Sequence, residues 1–135
     1  MSKYKLINNI VGWLVFVIAS YAYIATIEPT ASFWDCGEYI ACSDKLEVGH
    51  PPGAPFFLLI GRFFIWLGGD NPATAAKWVN IMSALCSSFT ILFLYWSITR
   101  LGVKIVKLAK QEFTLGRQLA VISAGVIGGL AYAFS

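Results

Sequence analysis

Residues 32–55 read SFWDCGEYIACSDKLEVGHPPGAP, a polar and turn-rich stretch between segments that are too apolar for water. It holds the carboxylates Asp35 and Glu38, three residues apart, and His50, the only histidine of the chain. The run Gly49-His50-Pro51-Pro52-Gly53 cannot continue a helix, so the chain is expected to turn there. If the chain performs chemistry, this stretch is where we expect its site.

Three long uncharged runs surround this stretch. Residues 6–27 and 78–99 each contain 22 residues without a charge, and residues 118–135 contain 18. A helix that crosses a bilayer needs about 20 such residues, and within lipid only a helix pairs its own backbone groups. Charged residues make up 13% of the chain, against about 25% in soluble domains. The sequence therefore predicts an all-α, multi-pass membrane protein with three transmembrane helices.

The distribution of charge predicts the orientation of these helices. Six of the seven acids fall between Glu28 and Asp70, whereas five of the ten bases fall between Arg100 and Arg117. Such segregation is typical of membrane topology, with the basic segment in the cytoplasm, and not of nucleic-acid binding. Lys3 and Lys5 agree with a cytoplasmic amino terminus.

The predicted segments run in a simple order. They are a transmembrane helix over 10–27, an external loop over 28–74 with a juxtamembrane helix over 54–69, a transmembrane helix over 75–99, a cytoplasmic basic segment over 100–117 and a transmembrane helix over 118–135. The first run is longer than a signal-peptide core and lacks a clear cleavage site, so we interpret it as a membrane helix. The last helix is barely long enough to span, and we expect it to continue in a larger protein.

Residues 54–69 allow two interpretations. The segment is very apolar, but Arg62 lies in its middle, and an arginine at the bilayer centre costs about 2.5 kcal/mol or more. If the segment spans the membrane, the basic residues 100–117 face the same side as the acidic loop, against the positive-inside tendency. A helix lying along the outer surface avoids this conflict, and we favour it.

Within the loop, Pro29 ends the first helix, and Thr30 or Ser32 can cap a new helix whose first turns contain Asp35 and Glu38. At this spacing the two carboxylates would project from one face. Phe33 and Trp34 are expected in the interfacial belt. Cys36 and Cys42 can pair in an oxidising compartment or remain free thiols.

The motif Trp34-Asp35-Cys36-Gly37-Glu38-Tyr39, followed by His50-Pro51-Pro52-Gly53-Ala54-Pro55, resembles the first external loop of protein O-mannosyltransferase-like enzymes, glycosyltransferase family 117. The resemblance covers the amino-terminal portion of a full-length member. It implies the multi-helical GT-C fold and a donor substrate in which a sugar is carried on polyprenyl phosphate. It also implies inverting, O-mannosyl-type transfer to Ser or Thr of a protein acceptor on the extracytoplasmic face.

The same resemblance implies roles for the loop residues. Asp35 is expected to be the base that takes the acceptor hydroxyl proton, with Glu38 orienting Asp35 or the acceptor. Desolvation near the membrane would raise the pKa of such a carboxyl group. Tyr39 and His50 are candidates for substrate binding, His50 through the sugar or the donor phosphate, and a histidine that only braces the turn is the simpler alternative.

Arg62 is a candidate cation for the leaving phosphate, with snorkelling to the lipid headgroups as its alternative. No metal ligand set is assigned, because two acids three residues apart make a poor site alone, although a divalent cation is possible.

The expected partners are membrane lipid, the lipid-linked donor, a protein acceptor and further transmembrane helices, from the same protein or a partner subunit, and no nucleic acid. The expected location is a bacterial inner membrane.

The alternative function is a small, non-enzymatic helical subunit of a membrane complex. That alternative holds if the natural chain ends at Ser135, because three helices cannot enclose a lipid-linked donor.

Overall fold

The computed structural model describes residues 2–51 and 53–135, and every regular element in these ranges is helical. The elements are α1 (Ser2–Thr26), α2 (Cys36–Lys45), α3 (Pro55–Leu67), α4 (Ala75–Leu108) and α5 (Leu115–Ala133), with a 3-10 turn over Pro72–Thr74. The prediction of an all-α protein is confirmed. The second proline of the His-Pro-Pro run, Pro52, lies outside the described residues.

Three stretches of helix are long and apolar enough to cross a membrane: Lys3–Thr26, Pro72–Leu108 and Leu115–Ala133. This confirms the predicted number of spanning helices. Helix α3 has 13 residues and is therefore about 20 Å long, short of the roughly 30 Å of a bilayer core. Its length favours the juxtamembrane interpretation of residues 54–69.

Helix α4 continues beyond the predicted membrane boundary at residue 99. It has 34 residues, which corresponds to about 51 Å, and it includes Arg100, Lys104 and Lys107. No proline interrupts this basic stretch, and lysine and arginine are good helix formers, so the helix extends as far as Leu108. The basic segment is therefore divided between the end of α4, a short connection and the start of α5 at Leu115.

The chain divides into two compact units. The first unit contains residues 1–23 and 87–135, and its core consists of Val15, Ala19, Ile91 and Tyr95. A Cβ atom on Gly125 would lie 2.6 Å from the Thr99 side chain, so this glycine lets α5 approach α4 closely. Small residues such as glycine commonly allow close packing of membrane helices.

The second unit contains residues 24–86 and carries the polar stretch. Its core consists of Ile65, Ala75, Val79 and Met82. Helices α2 and α3 pack where Ser43, which is fully buried, lies against Gly61. The Ser43 hydroxyl donates to the Tyr39 carbonyl oxygen at 2.7 Å, which satisfies its hydrogen bond inside the α2–α3 contact. This contact fixes α2, and with it the candidate site, on α3.

Candidate functional site

The start of α2 sets the position of the first carboxylate. The helix begins at Cys36 with Asp35 as its N-cap residue, so the predicted start near Thr30 or Ser32 is wrong. Trp34 has a φ angle of +70°, a left-handed conformation that is rare for a bulky residue and cannot belong to a right-handed helix. The turn at Trp34 ends the irregular segment after α1 and places Asp35 at the start of α2.

Glu38 and His50 form the central contact of the site. The His50 backbone N–H donates to Glu38 Oε1 at 2.7 Å, and His50 Nδ1 lies 2.8 Å from Glu38 Oε2. A Cβ atom on the preceding Gly49 would lie 3.1 Å from Glu38 Oε1, so the absence of a side chain there leaves room for the carboxylate. The contact joins α2 to the turn that precedes α3.

This contact shifts the pKa of both groups in opposite directions. The backbone and side-chain hydrogen bonds from His50 hold the pKa of Glu38 below its usual 4.5. The hydrogen bond to Glu38, its negative charge and the charge of Asp35 raise the pKa of His50 above 6.5. At Glu38 the hydrogen bonds from His50 therefore outweigh desolvation, which by itself would raise the pKa of the carboxyl group.

Asp35 lies close to this pair but is not tied to it. One ligand-type atom from each of Asp35, Glu38 and His50 lies within 4.8 Å of the other two, and all three residues are exposed. This agrees with the expectation that the two carboxylates share one face. The Asp35 side chain makes no capping hydrogen bond to α2, and among the described residues it forms no ion pair. Its carboxylate therefore remains available to an incoming group.

The same three side chains are the described residues best placed to hold a cation. They supply two carboxylate oxygens and an imidazole nitrogen. Transition metals such as Zn²⁺ bind both kinds of ligand, whereas Mg²⁺ prefers the carboxylate oxygens. A cation bound through Nδ1 would have to replace the hydrogen bond between His50 and Glu38. Cation binding through that nitrogen and the Glu38–His50 ion pair therefore exclude each other.

Tyr39 connects the carboxylates to an apolar cleft. Its ring packs edge-on against Phe57 at 5.5 Å and against the His50 ring at 6.4 Å. It also lines a cleft of about 370 Å³. We call this the loop cleft, and it is lined by Cys36, Tyr39, Ile40, Ala54, Phe57, Val79, Asn80 and Ser83. Apart from a few polar atoms its walls are apolar, as in many small-molecule sites.

Sequence reasoning missed the α4 side of the loop cleft. Asn80 donates from its amide nitrogen to the carbonyl oxygens of Glu28 at 2.7 Å and Thr30 at 3.1 Å, and thereby holds the segment after α1 against α4. The available signal was an amide within the otherwise apolar residues 78–99. Phe57 carried no comparable signal, because one more aromatic residue in an apolar run indicates nothing by itself.

Arg62 is engaged elsewhere. Its guanidinium lies 2.7 Å from Asp70 and 3.4 Å from Asp44, and these acids flank α3 in sequence. The two ion pairs give the single positive charge in the middle of α3 partners of opposite sign, so the arginine is accommodated there without being left unpaired. Of the predicted site residues, the structure brings together Asp35, Glu38, Tyr39 and His50, and it gives Arg62 a separate set of partners.

The cysteines of the loop occupy different environments. Cys36 is exposed and accepts a hydrogen bond from the Ser32 hydroxyl at 3.2 Å, whereas Cys42 is buried. Both are free thiols in this structure. They belong to α2 and take no part in the Glu38–His50 contact.

These features define a multi-pass helical membrane protein with a carboxylate–histidine site in the polar segment after its first helix. Residues 35–135 match the family described as Protein O-mannosyl-transferase TMEM260 N-terminal domain. The match covers most of the chain, and the protein belongs to this family.

A curated relative extends the comparison. The chain is 31% identical over 85 residues to the protein O-mannosyl-transferase tmem260 of Dictyostelium discoideum. The alignment covers 63% of this chain and 10% of that relative, so the chain corresponds to about a tenth of the relative's length. No solved structure matches the chain.

Proposed function

We propose that this chain is the amino-terminal part of a membrane glycosyltransferase of the GT-C type that transfers a mannosyl-type sugar from polyprenyl phosphate to Ser or Thr of a protein. Family membership supports the transferase class. The observation that carries the site assignment is the separation of roles between two neighbouring carboxylates. Both carboxylates are exposed, but Glu38 is paired with His50, whereas Asp35 forms no ion pair among the described residues.

In the proposed reaction, the acceptor hydroxyl oxygen attacks the anomeric carbon of the sugar as the bond from that carbon to the phosphate oxygen breaks. The hydroxyl proton passes to the Asp35 carboxylate, and polyprenyl phosphate leaves with the bonding electron pair. One displacement inverts the configuration at the sugar carbon. Asp35 fits the role of base because its carboxylate is near the other site groups and free of the hydrogen bonds that lower the basicity of Glu38.

Glu38 and His50 act together on the donor side. Because Nδ1 is held by Glu38, the ring presents its other nitrogen, Nε2, away from that hydrogen bond. The raised pKa keeps a larger fraction of His50 protonated near neutral pH than in a free histidine. A protonated ring can donate from Nε2 to the donor phosphate, which gains negative charge as it leaves. In this proposal the positive charge at the site comes from His50, while Arg62 has a structural role.

The loop cleft supplies a place for the apolar part of a substrate. Its volume of about 370 Å³ is within the usual range for small-molecule sites, and Tyr39 borders both the cleft and His50. We propose that it receives the first isoprene units of the donor. We also propose that this face lies outside the cytoplasm, in a bacterial inner membrane. Further transmembrane helices would complete the pocket.

The experiment uses the purified full-length protein in lipid nanodiscs, with a polyprenyl-phosphate mannose donor and a peptide rich in Ser and Thr. We expect labelled mannose on the peptide and free polyprenyl phosphate as the second product. Glu47→Gln, which changes an exposed acid of the same loop outside the site, should transfer sugar as well as the unmodified protein does. Failure to transfer sugar from any polyprenyl-phosphate donor, by a protein that is folded and inserted, would contradict the proposed function.

A further inference from the structure

A second cleft lies in the unit formed by residues 1–23 and 87–135, at the amino-terminal end of α1. Its volume is about 470 Å³. We call it the cationic cleft, and the residues that matter for its chemistry are Tyr4, Lys5, Asn8, Arg100, Lys107 and Phe113. None of its lining residues is acidic, so its walls carry three positive charges and no negative one.

These cations have no partner of opposite charge in the part of the chain that the structure describes. The ion pairs among the described residues involve His50 and Arg62, and none involves Lys5, Arg100 or Lys107. The three side chains are exposed, come from the two helices α1 and α4, and line the same cleft. Mutual repulsion in such a cleft is relieved when an anion binds.

Two neutral groups add hydrogen-bond donors to the cationic cleft. Asn8 Oδ1 accepts a hydrogen bond from the Tyr95 hydroxyl at 3.1 Å, which leaves the NH₂ group of Asn8 as its donating end. The Tyr4 hydroxyl is buried and has no hydrogen-bond partner among the described residues. A buried hydroxyl without a partner is unfavourable, and a ligand oxygen or a water would satisfy it.

The cationic cleft also has apolar walls. Val103 and Phe113 line it beside the three cations. Lys5 lies near the beginning of the span Lys3–Thr26, where a membrane helix meets the headgroup layer. A ligand at this position meets positive charge and apolar side chains together at the level of the headgroups, which suits an amphiphile.

We propose that the cationic cleft binds the phosphate headgroup of an anionic membrane lipid. The phosphate oxygens accept from Arg100, Lys107 and Lys5, and the Asn8 amide and Tyr4 hydroxyl complete the shell. The acyl chains extend from the cleft, past Val103 and Phe113, into the bilayer. This site is separate from the carboxylate–histidine site and does not depend on the proposed transferase activity.

The test compares two variants with equal loss of charge, made in the full-length protein. Arg100→Gln/Lys107→Gln removes two cations of the cationic cleft, whereas Lys104→Gln/Lys110→Gln removes two cations that do not line it. Each protein is reconstituted in nanodiscs of phosphatidylcholine, with and without phosphatidylglycerol, and bound phosphatidylglycerol is measured by native mass spectrometry together with the thermal midpoint.

We expect the cleft variant to bind phosphatidylglycerol about tenfold more weakly and to lose the increase in thermal midpoint that this lipid gives the unmodified protein. We expect the control variant to retain both properties. Equal losses in the two variants would overturn the proposal, because they would show diffuse attraction to the membrane. The same stabilisation by inorganic phosphate in phosphatidylcholine alone would also overturn it, by identifying a soluble anion as the ligand.

Tyr4→Phe supplies a finer test that keeps the edge-on contact with Phe113 at 4.8 Å and removes only the hydroxyl. If the hydroxyl donates to the lipid, this variant binds phosphatidylglycerol more weakly although its thermal midpoint in phosphatidylcholine is equal or higher. Unchanged binding of phosphatidylglycerol would overturn the part assigned to Tyr4.

Discussion

His50 holds Glu38 through two hydrogen bonds, one from its backbone N–H at 2.7 Å and one through Nδ1 at 2.8 Å. The backbone bond persists whatever the charge of the ring, whereas the ring bond is strongest when the imidazole is protonated. Glu38 is thereby fixed on the turn before α3, and Asp35 is left as the uncommitted carboxylate of the site.

The first prediction concerns the titration of His50. The full-length protein is labelled with isotopes at histidine, and the His50 signal is assigned as the one that is missing from the His50→Gln variant. NMR should give a pKa above 6.5 for His50, and Glu38→Gln should lower it towards that value. Asp35→Asn should lower the pKa less, because Asp35 contributes the weakest of the influences that raise it. A pKa unchanged by Glu38→Gln would contradict the geometry.

The second prediction is the pH window of the Glu38–His50 contact. A lowered pKa for Glu38 means that its contribution to stability is present above pH 4.5 and is lost as the pH falls through the shifted pKa. A raised pKa for His50 means that its contribution is present below pH 6.5 and is lost as the pH rises through the shifted pKa. The protection factor of the His50 amide, which is the exchange rate corrected for its intrinsic pH dependence, should therefore be highest between these limits. Glu38→Gln should remove this variation of the protection factor with pH. Equal dependence in the variant would contradict this account.

The third prediction tests the α2–α3 contact that supports the site. Gly61→Ala would place a methyl group 2.6 Å from the Ser43 hydroxyl and 3.0 Å from its Cβ, within a contact where Ser43 is fully buried. We expect a loss of about 1–3 kcal/mol in the free energy of unfolding, typical of overpacking. Gly37→Ala is the matched control, because a Cβ atom there meets nothing within 4 Å. Equal stability of the two variants in detergent unfolding would count against the contact.

The fourth prediction separates two roles for Arg62. Its ion pairs with Asp44 and Asp70 are partly exposed, so Arg62→Gln should lower the free energy of unfolding by about 1 kcal/mol and leave the KM for the donor unchanged. Lys45→Gln, at an exposed lysine of the same loop, serves as the control. A higher KM for the donor with unchanged stability would instead assign Arg62 to the donor phosphate.

The general architecture was predictable from the sequence because an uncharged run of about 20 residues is typical of a membrane-spanning helix and rare elsewhere. The pattern of apolar residues therefore predicted three spanning helices and a separate short helix around Arg62. The local start of α2 was not predictable, because Thr30 and Ser32 are good capping residues in isolation. The left-handed turn at Trp34 overrides them, and nothing in its residue type indicates such a conformation.

The candidate site was partly predictable for a similar reason. The i, i+3 spacing placed Asp35 and Glu38 on one face, and the unusual His-Pro-Pro turn drew attention to His50. The partners of these residues depend on the folded turn, since Glu38 and His50 are 12 positions apart in sequence. The same holds for Arg62, whose ion pairs join residues 18 and 8 positions away.

The fifth prediction and its measurement test the central claim that Asp35 is the base and Glu38 a positioning residue. Asp35→Asn and Glu38→Gln are compared in single-turnover transfer by the full-length protein. Asparagine keeps the size of the side chain, and no capping hydrogen bond is lost because Asp35 makes none, so the start of α2 should be preserved. We predict that Asp35→Asn lowers the rate by about 10²–10⁴-fold, as expected for loss of a general base, and that Glu38→Gln lowers it much less and alters its pH dependence. Transfer at an undiminished rate by Asp35→Asn, or a larger loss in Glu38→Gln, would contradict the account.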